Sequence, residues 1–146
     1  MNVIAIARRG IGVVGVPPVG IAVARGIAIE LIRHAEPGAL VVQVAAADPE
    51  AVWLAKLASM VRRAPLPRGI AFAIRVSNAA RPIGAVLVAE HEHDLGHRLG
   101  CVIRLGPEAI VLDRRDGSPP TPVSPAFVDR AEAEALVRRW SAARAA

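Results

Sequence analysis

The apolar residues of this chain fall into short, almost uninterrupted runs, and this pattern constrains the fold more than any other feature. The runs cover residues 11–14, 40–44, 69–76 and 83–89, and such runs are typical of strands that are buried on both faces. Hydrophobic residues make up 53% of the 146 residues but aromatic residues only 3%, so Ala, Val, Ile and Leu must fill the core. We expect a single α/β domain spanning residues 1–146.

The segments around these runs predict the layers of the fold. Three segments are predicted to be helices: residues 19–34, 48–64 and 124–143. The first has apolar residues at helical spacing, and the other two begin with an Asp or Ser cap followed by proline. Residues 3–7 are expected to form a strand that pairs with residues 11–14. Helical crossovers return the chain to the same sheet edge and so impose parallel pairing. The sequence therefore predicts a three-layer sandwich with a mostly parallel central sheet and a C-terminal helix.

The charge and cysteine content exclude several classes of protein. The only cysteine, Cys101, lies in an apolar run, so an internal disulfide and a multi-cysteine metal site are excluded and a buried thiol is expected. The net charge is +5, but the arginine pairs are spread along the sequence, which makes nucleic acid a weaker candidate partner than protein. No apolar run reaches the length of a membrane span or of a signal-peptide core, so a cytoplasmic protein is expected.

The first strand is followed by a glycine-rich turn with the frame of a phosphate loop. Gly15 and Gly20 are separated by four residues, and Gly20 opens a predicted helix whose amides would face an anion. The two positions that need Lys and a hydroxyl for triphosphate and magnesium hold Ile21 and Ala22. The two intervening prolines also lack the amides that would bind phosphate. We interpret this turn as a degenerate phosphate loop.

The acidic residue of an ATPase site is missing as well. The strand over residues 69–76 is followed by Ser77 and Asn78, where nucleotide hydrolysis would need a carboxylate to support magnesium and the attacking water. No serine has a histidine and an acid at a spacing that indicates a nucleophilic triad. We therefore expect no catalytic residue and no cofactor.

Four short motifs resemble the FtsK/SpoIIIE-type ATPase domains, in particular the degenerate copies in type VII secretion ATPases and related actinobacterial proteins. They are Gly12-Val13-Val14-Gly15, the segment 48–54 with Trp53, the pair of runs 84–89 and 99–105, and the segment 123–131 that begins Val-Ser-Pro-Ala. The resemblance covers roughly residues 10–143 and departs from the family at the functional positions of the loop and of the acidic strand end. It implies a P-loop NTPase-like fold without ATPase activity, a pseudo-ATPase used for regulation and protein binding.

Three of the four histidines fall within seven residues, at His91, His93 and His97, among several acids. Imidazole and carboxylate groups can bind zinc or nickel. A turn at Leu95-Gly96 prevents one helix or strand from aligning all three rings. A solvated loop is therefore the competing interpretation.

These observations predict a non-catalytic, pseudo-ATPase-like module that binds a protein partner or a second copy of itself, as an accessory component of a secretion or translocase system. Two alternatives stay open. One is a small cytoplasmic enzyme or binding protein for an anionic ligand at the Gly15–Gly20 turn. The other is a DNA-associated accessory protein that uses its arginines.

Overall fold

The helices and strands are taken from a computed structural model, which describes residues 3–34, 40–45, 51–56, 60–78, 81–96 and 98–145. The helices are α1 (Val3–Ala7), α2 (Pro17–Arg33), α3 (Ala51–Leu54) and α4 (Arg130–Ala145), with a short 3-10 helix, η1 (Glu92–Leu95). The strands are β1 (Ile11–Val14), β2 (Leu40–Ala45), β3 (Met60–Ala64), β4 (Ile70–Asn78), β5 (Arg81–Ala89), β6 (Cys101–Leu105), β7 (Ile110–Asp113) and β8 (Thr121–Pro122).

The described strands form one mixed sheet in the order β3-β2-β4-β5-β1-β6-β7-β8. Three neighbouring pairs are parallel (β2–β3, β1–β5 and β1–β6), and the other four are antiparallel. The predicted three-layer, mostly parallel, P-loop NTPase-like sandwich is therefore wrong. The predicted C-terminal helix is confirmed as α4.

The antiparallel pairing has a simple cause in the chain length between strands. A parallel return needs a crossover of roughly a dozen residues or more, whereas antiparallel neighbours can be joined by a tight turn. Only two residues separate β4 from β5, which therefore pair as a hairpin with Ile74 opposite Val86. The sequence prediction already left only six residues between these two strands, too few for the helix that the parallel sheet required.

A strand also replaces part of the second predicted helix. Of the helix expected over residues 48–64, the described residues contain α3, and the last residues of the segment form β3, which pairs in parallel with β2. Trp53 and Leu54 of α3 are fully buried. The proposed cap Asp48 lies outside the described residues. Short apolar runs are compatible with both helix and strand, and here pairing with β2 decides the outcome.

Both ends of the chain also differ from the prediction. Residues 3–7 form helix α1 instead of a strand, and Ala7 packs against Gly84 in β5. The C-terminal helix begins at Arg130, because the segment 123–129 forms neither helix nor strand. The amide of Val123 donates to the carbonyl of Ile110 at 2.9 Å, and that of Val128 donates to Ala22 of α2 at 3.1 Å. Asp129, whose Oδ1 accepts the Glu132 amide at 2.7 Å, caps α4 in place of the predicted Ser124.

The helices pack on one face of the sheet, and this arrangement leaves the two faces unequal. The helix face contributes to the main core, with side chains such as Val13, Val42, Phe72 and Val86 packed with α2. We call the opposite side the distal face; the smaller core there comprises Ile70, Ala89, Leu95 and Val102. In the described part of the chain, η1 and the segment after it cover the β1 region of the distal face, where Leu95 and Leu99 lie over Gly12. None of the helices within the described ranges is long and apolar enough to cross a membrane.

Candidate functional site

The turn that resembles a phosphate loop has its amides occupied by the protein's own backbone. The Gly15 amide donates to Ala89 at 3.1 Å, and the amides of Val19 and Gly20 both donate to the Val16 carbonyl. Helix α2 begins at the two prolines between them, which carry no N–H. At most the Val16 amide is left to face a ligand. The turn therefore lacks the set of amides that binds phosphate.

Gly20 is explained by packing instead of by ligand binding. It lies in the first turn of α2, buried against β5, and a Cβ at this position would lie 2.6 Å from Cγ1 of Val88. Ile21 and Ala22 follow on the same helix, and the Ala22 carbonyl accepts the amide of Val128. The glycine thus allows α2 to approach the sheet closely.

Ser77 and Asn78, which occupy the position of the acidic residue of an ATPase site, lie at the opposite end of the strands from the Gly15–Gly20 turn. Strand β4 runs antiparallel to β5, and β5 runs parallel to β1, so Ser77 and Asn78 end their strand at the end of the sheet where β1 begins. In register they lie beside Arg81 and Pro82, whereas Gly15 follows Val14 beside Ala89. Seven residues of extended strand separate those positions, roughly 23 Å. The two elements therefore do not form one site.

The histidines do not form a metal centre in the described part of the chain. His91 and His93 are exposed, and their rings stack with centroids 5.7 Å apart. His97 lies outside the described residues. Among those residues, no group of three or more His, Cys, Asp or Glu side chains is arranged to hold a metal ion.

Cys101, the first residue of β6, is buried in the main core, as its apolar neighbours predict. Burial raises the pKa of its thiol to about 11, and the sulfur lies 3.8 Å from the Gly10 carbonyl. A thiol with this pKa stays protonated at neutral pH and is a poor nucleophile. Cys101 is therefore a core residue.

An ion-paired cluster on the distal face was not anticipated from the sequence. Arg104 of β6 donates to both carboxylate oxygens of Glu92 in η1 and, at 2.9 Å, to Oδ2 of Asp113 in β7. Arg115 lies 3.6 Å from Glu92, and its amide donates to Asp113 Oδ1. With His93 and Gly96, these residues line an open pocket of about 530 Å³.

The hydrogen bonds of the cluster shift the pKa values of its members and hold η1 in place. The hydrogen bonds from Arg104 lower the pKa of Glu92, and the Arg115 amide followed by Arg104 lowers the pKa of Asp113. The bonds to the two carboxylates in turn raise the pKa of Arg104. Because each charge already has an opposite partner, we assign the cluster a structural role: it holds η1 over β1.

A second cavity lies on the distal face over β2, β4 and β5, and we call it the distal groove. Its volume is about 220 Å³. The face contributes Gln43, Ala73, Arg75, Ala85 and Leu87, and residues 64–67 form one wall. Leu66 in this wall is 38% exposed. The register places Gln43, Arg75 and Ala85 side by side on adjacent strands.

The sequence segment that forms most of the distal groove carries charge of one sign. Between residues 51 and 89 the sequence contains six basic residues and no acidic one. Within the described part of the chain, the exposed side chains of Arg68 and Arg75 form no ion pair or hydrogen bond. The arginine pairs look dispersed along the sequence, but the fold gathers several cations in one half of the sheet. A charge count by segment would have revealed this from the sequence.

Comparisons with known proteins add no relative: no family model, no curated protein and no solved structure matches the chain. The resemblance to FtsK/SpoIIIE-type domains therefore stays a hypothesis about sequence. The fold that it implied is the one that the mixed sheet overturns.

Proposed function

We propose that this protein is a non-enzymatic interaction module that binds an acidic segment of a partner protein in the distal groove. One observation carries the proposal: Arg75, exposed and without an ion pair in the described chain, lines an apolar cavity within a segment that has no acidic residue. A carboxylate-bearing segment would supply the missing charge, and its apolar side chains would cover Ala73, Ala85 and Leu87.

The composition of the groove favours protein over single-stranded nucleic acid. Surfaces that bind single strands stack bases on exposed aromatic rings. The lining of the distal groove contains no aromatic residue, and Phe72 and Trp53 are buried in the main core. The groove instead offers aliphatic side chains and one guanidinium, which is chemistry suited to an extended peptide.

Selection from a displayed random peptide library tests the proposal on the purified full chain. We expect enrichment of sequences that combine Asp or Glu with Val, Ile or Leu. For peptides so selected, Arg75→Glu should weaken binding at least tenfold, about 1.4 kcal/mol. The matched control is Arg139→Glu, which reverses an exposed charge on α4.

Three results would contradict this function. They are a selection without acidic enrichment, peptides that bind Arg75→Glu as tightly as the unaltered protein, and an equal loss in the Arg139→Glu control. A parallel titration with duplex and single-stranded DNA separates the remaining alternative. Salt-sensitive DNA binding that depends on Arg75 and exceeds peptide binding would favour the DNA-associated function.

A further inference from the structure

Strand β3 forms one edge of the sheet, and the described residues place no further strand beside it. An edge strand presents backbone N–H and C=O groups that another strand can pair with. The opposite edge is β8, which has only two residues, one of them Pro122, so it offers little to pair with. With five residues, β3 is the longer edge.

Two arginines lie on this edge. Arg62 lies opposite Gln43 in the register and Arg63 opposite Val44, so the two side chains leave the strand on different faces. Both are exposed. A second copy of β3 would bring like charges together, which destabilises a strand pair. A strand with carboxylates would instead bring an opposite charge to Arg63.

The edge is continuous with the distal groove. Ala64 is the last residue of β3 and also belongs to the groove wall, followed there by Pro65 and exposed Leu66. An extended segment along β3 therefore ends beside the wall of the groove.

We propose that β3 accepts an acidic, extended segment of a partner protein by strand addition, which makes the sheet nine-stranded. The inference rests on the proposed function and extends its site from the groove wall to the neighbouring sheet edge: backbone hydrogen bonds along β3 supply affinity, and Arg63 selects for carboxylates over a second copy of this chain.

Three synthetic peptides test this mode, each of eight residues with blocked ends: alternating Glu-Val, alternating Glu-Gly and alternating Lys-Val. We expect the Glu-Val peptide to bind at least tenfold more tightly than Glu-Gly, which has the same charge but little strand propensity. Binding should slow hydrogen exchange at least tenfold for those amides among residues 61–64 that face away from β2. The variant Arg63→Glu should lose the Glu-Val peptide and gain the Lys-Val peptide, while Arg139→Glu changes neither.

Strand addition is wrong if Glu-Val does not bind at millimolar concentration, if it binds without slowing exchange in residues 61–64, or if the charge reversal leaves the preference unchanged. Its failure can be told apart from failure of the proposed function. Library peptides that depend on Arg75 but leave the β3 amides unprotected would retain the function and reject strand addition. Library peptides that neither depend on Arg75 nor protect β3 would reject both.

Discussion

Arg104 connects three elements on the distal face. It joins η1 to β6 and β7 through Glu92 and Asp113, with its side chain 34% exposed. Removing the guanidinium would leave two carboxylates close together without their shared partner. The hydrogen bonds are charge-assisted but partly solvated, so their contribution falls between that of a surface pair and that of a buried pair.

We predict that Arg104→Met lowers the free energy of unfolding by about 1 to 2 kcal/mol at pH 7. The folded-state pKa values of Glu92 and Asp113 are lowered, so their contribution is complete above the unfolded values of about 4 and is lost as the pH falls below them. The difference between variant and unaltered protein should therefore shrink in acid. Urea unfolding at pH 7 and at about pH 3 measures it; a difference independent of pH would contradict the ion-pair explanation.

The role of Gly20 can be tested by adding a single methyl group. We predict that Gly20→Ala destabilises the protein by about 1 to 2 kcal/mol, because overpacking against Val88 exceeds the gain in helix propensity. In the Val88→Ala background the same substitution should be neutral or stabilising, and a thermal-unfolding double-mutant cycle measures the coupling. Additive effects of the two substitutions would argue against close packing as the reason for the glycine.

At the scale of elements, the start of α4 shows how local signals compete. Ser124-Pro125 has the residues of a helix start, yet the segment 123–129 forms no helix and is held by backbone hydrogen bonds to β7 and α2. The helix begins later, where Asp129 can cap it. Tertiary pairing thus moves a helix start by several residues without changing the helix itself.

This comparison gives a matched pair of variants. We predict that Asp129→Ala costs about 1 kcal/mol, because the Glu132 amide loses its acceptor. Ser124→Ala should change the free energy of unfolding by less than about 0.5 kcal/mol, since Ser124 is exposed and precedes the helix. Chemical denaturation of both variants measures the effect. A larger loss of stability for Ser124→Ala than for Asp129→Ala would show that Asp129 is not the cap.

At the scale of the whole molecule, charge is distributed unevenly along the sequence. The net charge of +5 is modest, but residues 51–89, which include β3, β4 and β5, carry six positive charges without a negative one. Such a one-sided field accelerates the approach of an acidic partner and is screened by salt.

We predict that the association rate of the Glu-Val peptide falls about tenfold between roughly 50 and 500 mM salt, while its dissociation rate changes much less. Stopped-flow measurements across a salt series provide both rates. Arg75→Glu should flatten the dependence and Arg139→Glu should not. An association rate that is insensitive to salt would show that the charged half does not guide binding.

The sequence by itself determined the local features whose causes lie within a few residues. The apolar runs correctly indicated β1, β2, β4 and β5, the helical spacing predicted α2, and the apolar neighbours of Cys101 predicted a buried thiol. The lack of acidic residues between residues 51 and 89 can also be seen in the sequence, although the spread of the arginine pairs does not reveal it.

Only the tertiary structure decided strand direction, the position of β3 and which side chains share a face. Apolar runs specify that a strand is buried but not which neighbour it pairs with, so the runs alone allowed a parallel β4, although the short gap before β5 already favoured the hairpin. The same holds for Glu92, Arg104 and Asp113, which three separate elements bring together. Pairing between distant segments depends on the free energy of the whole sheet, and no local pattern records it.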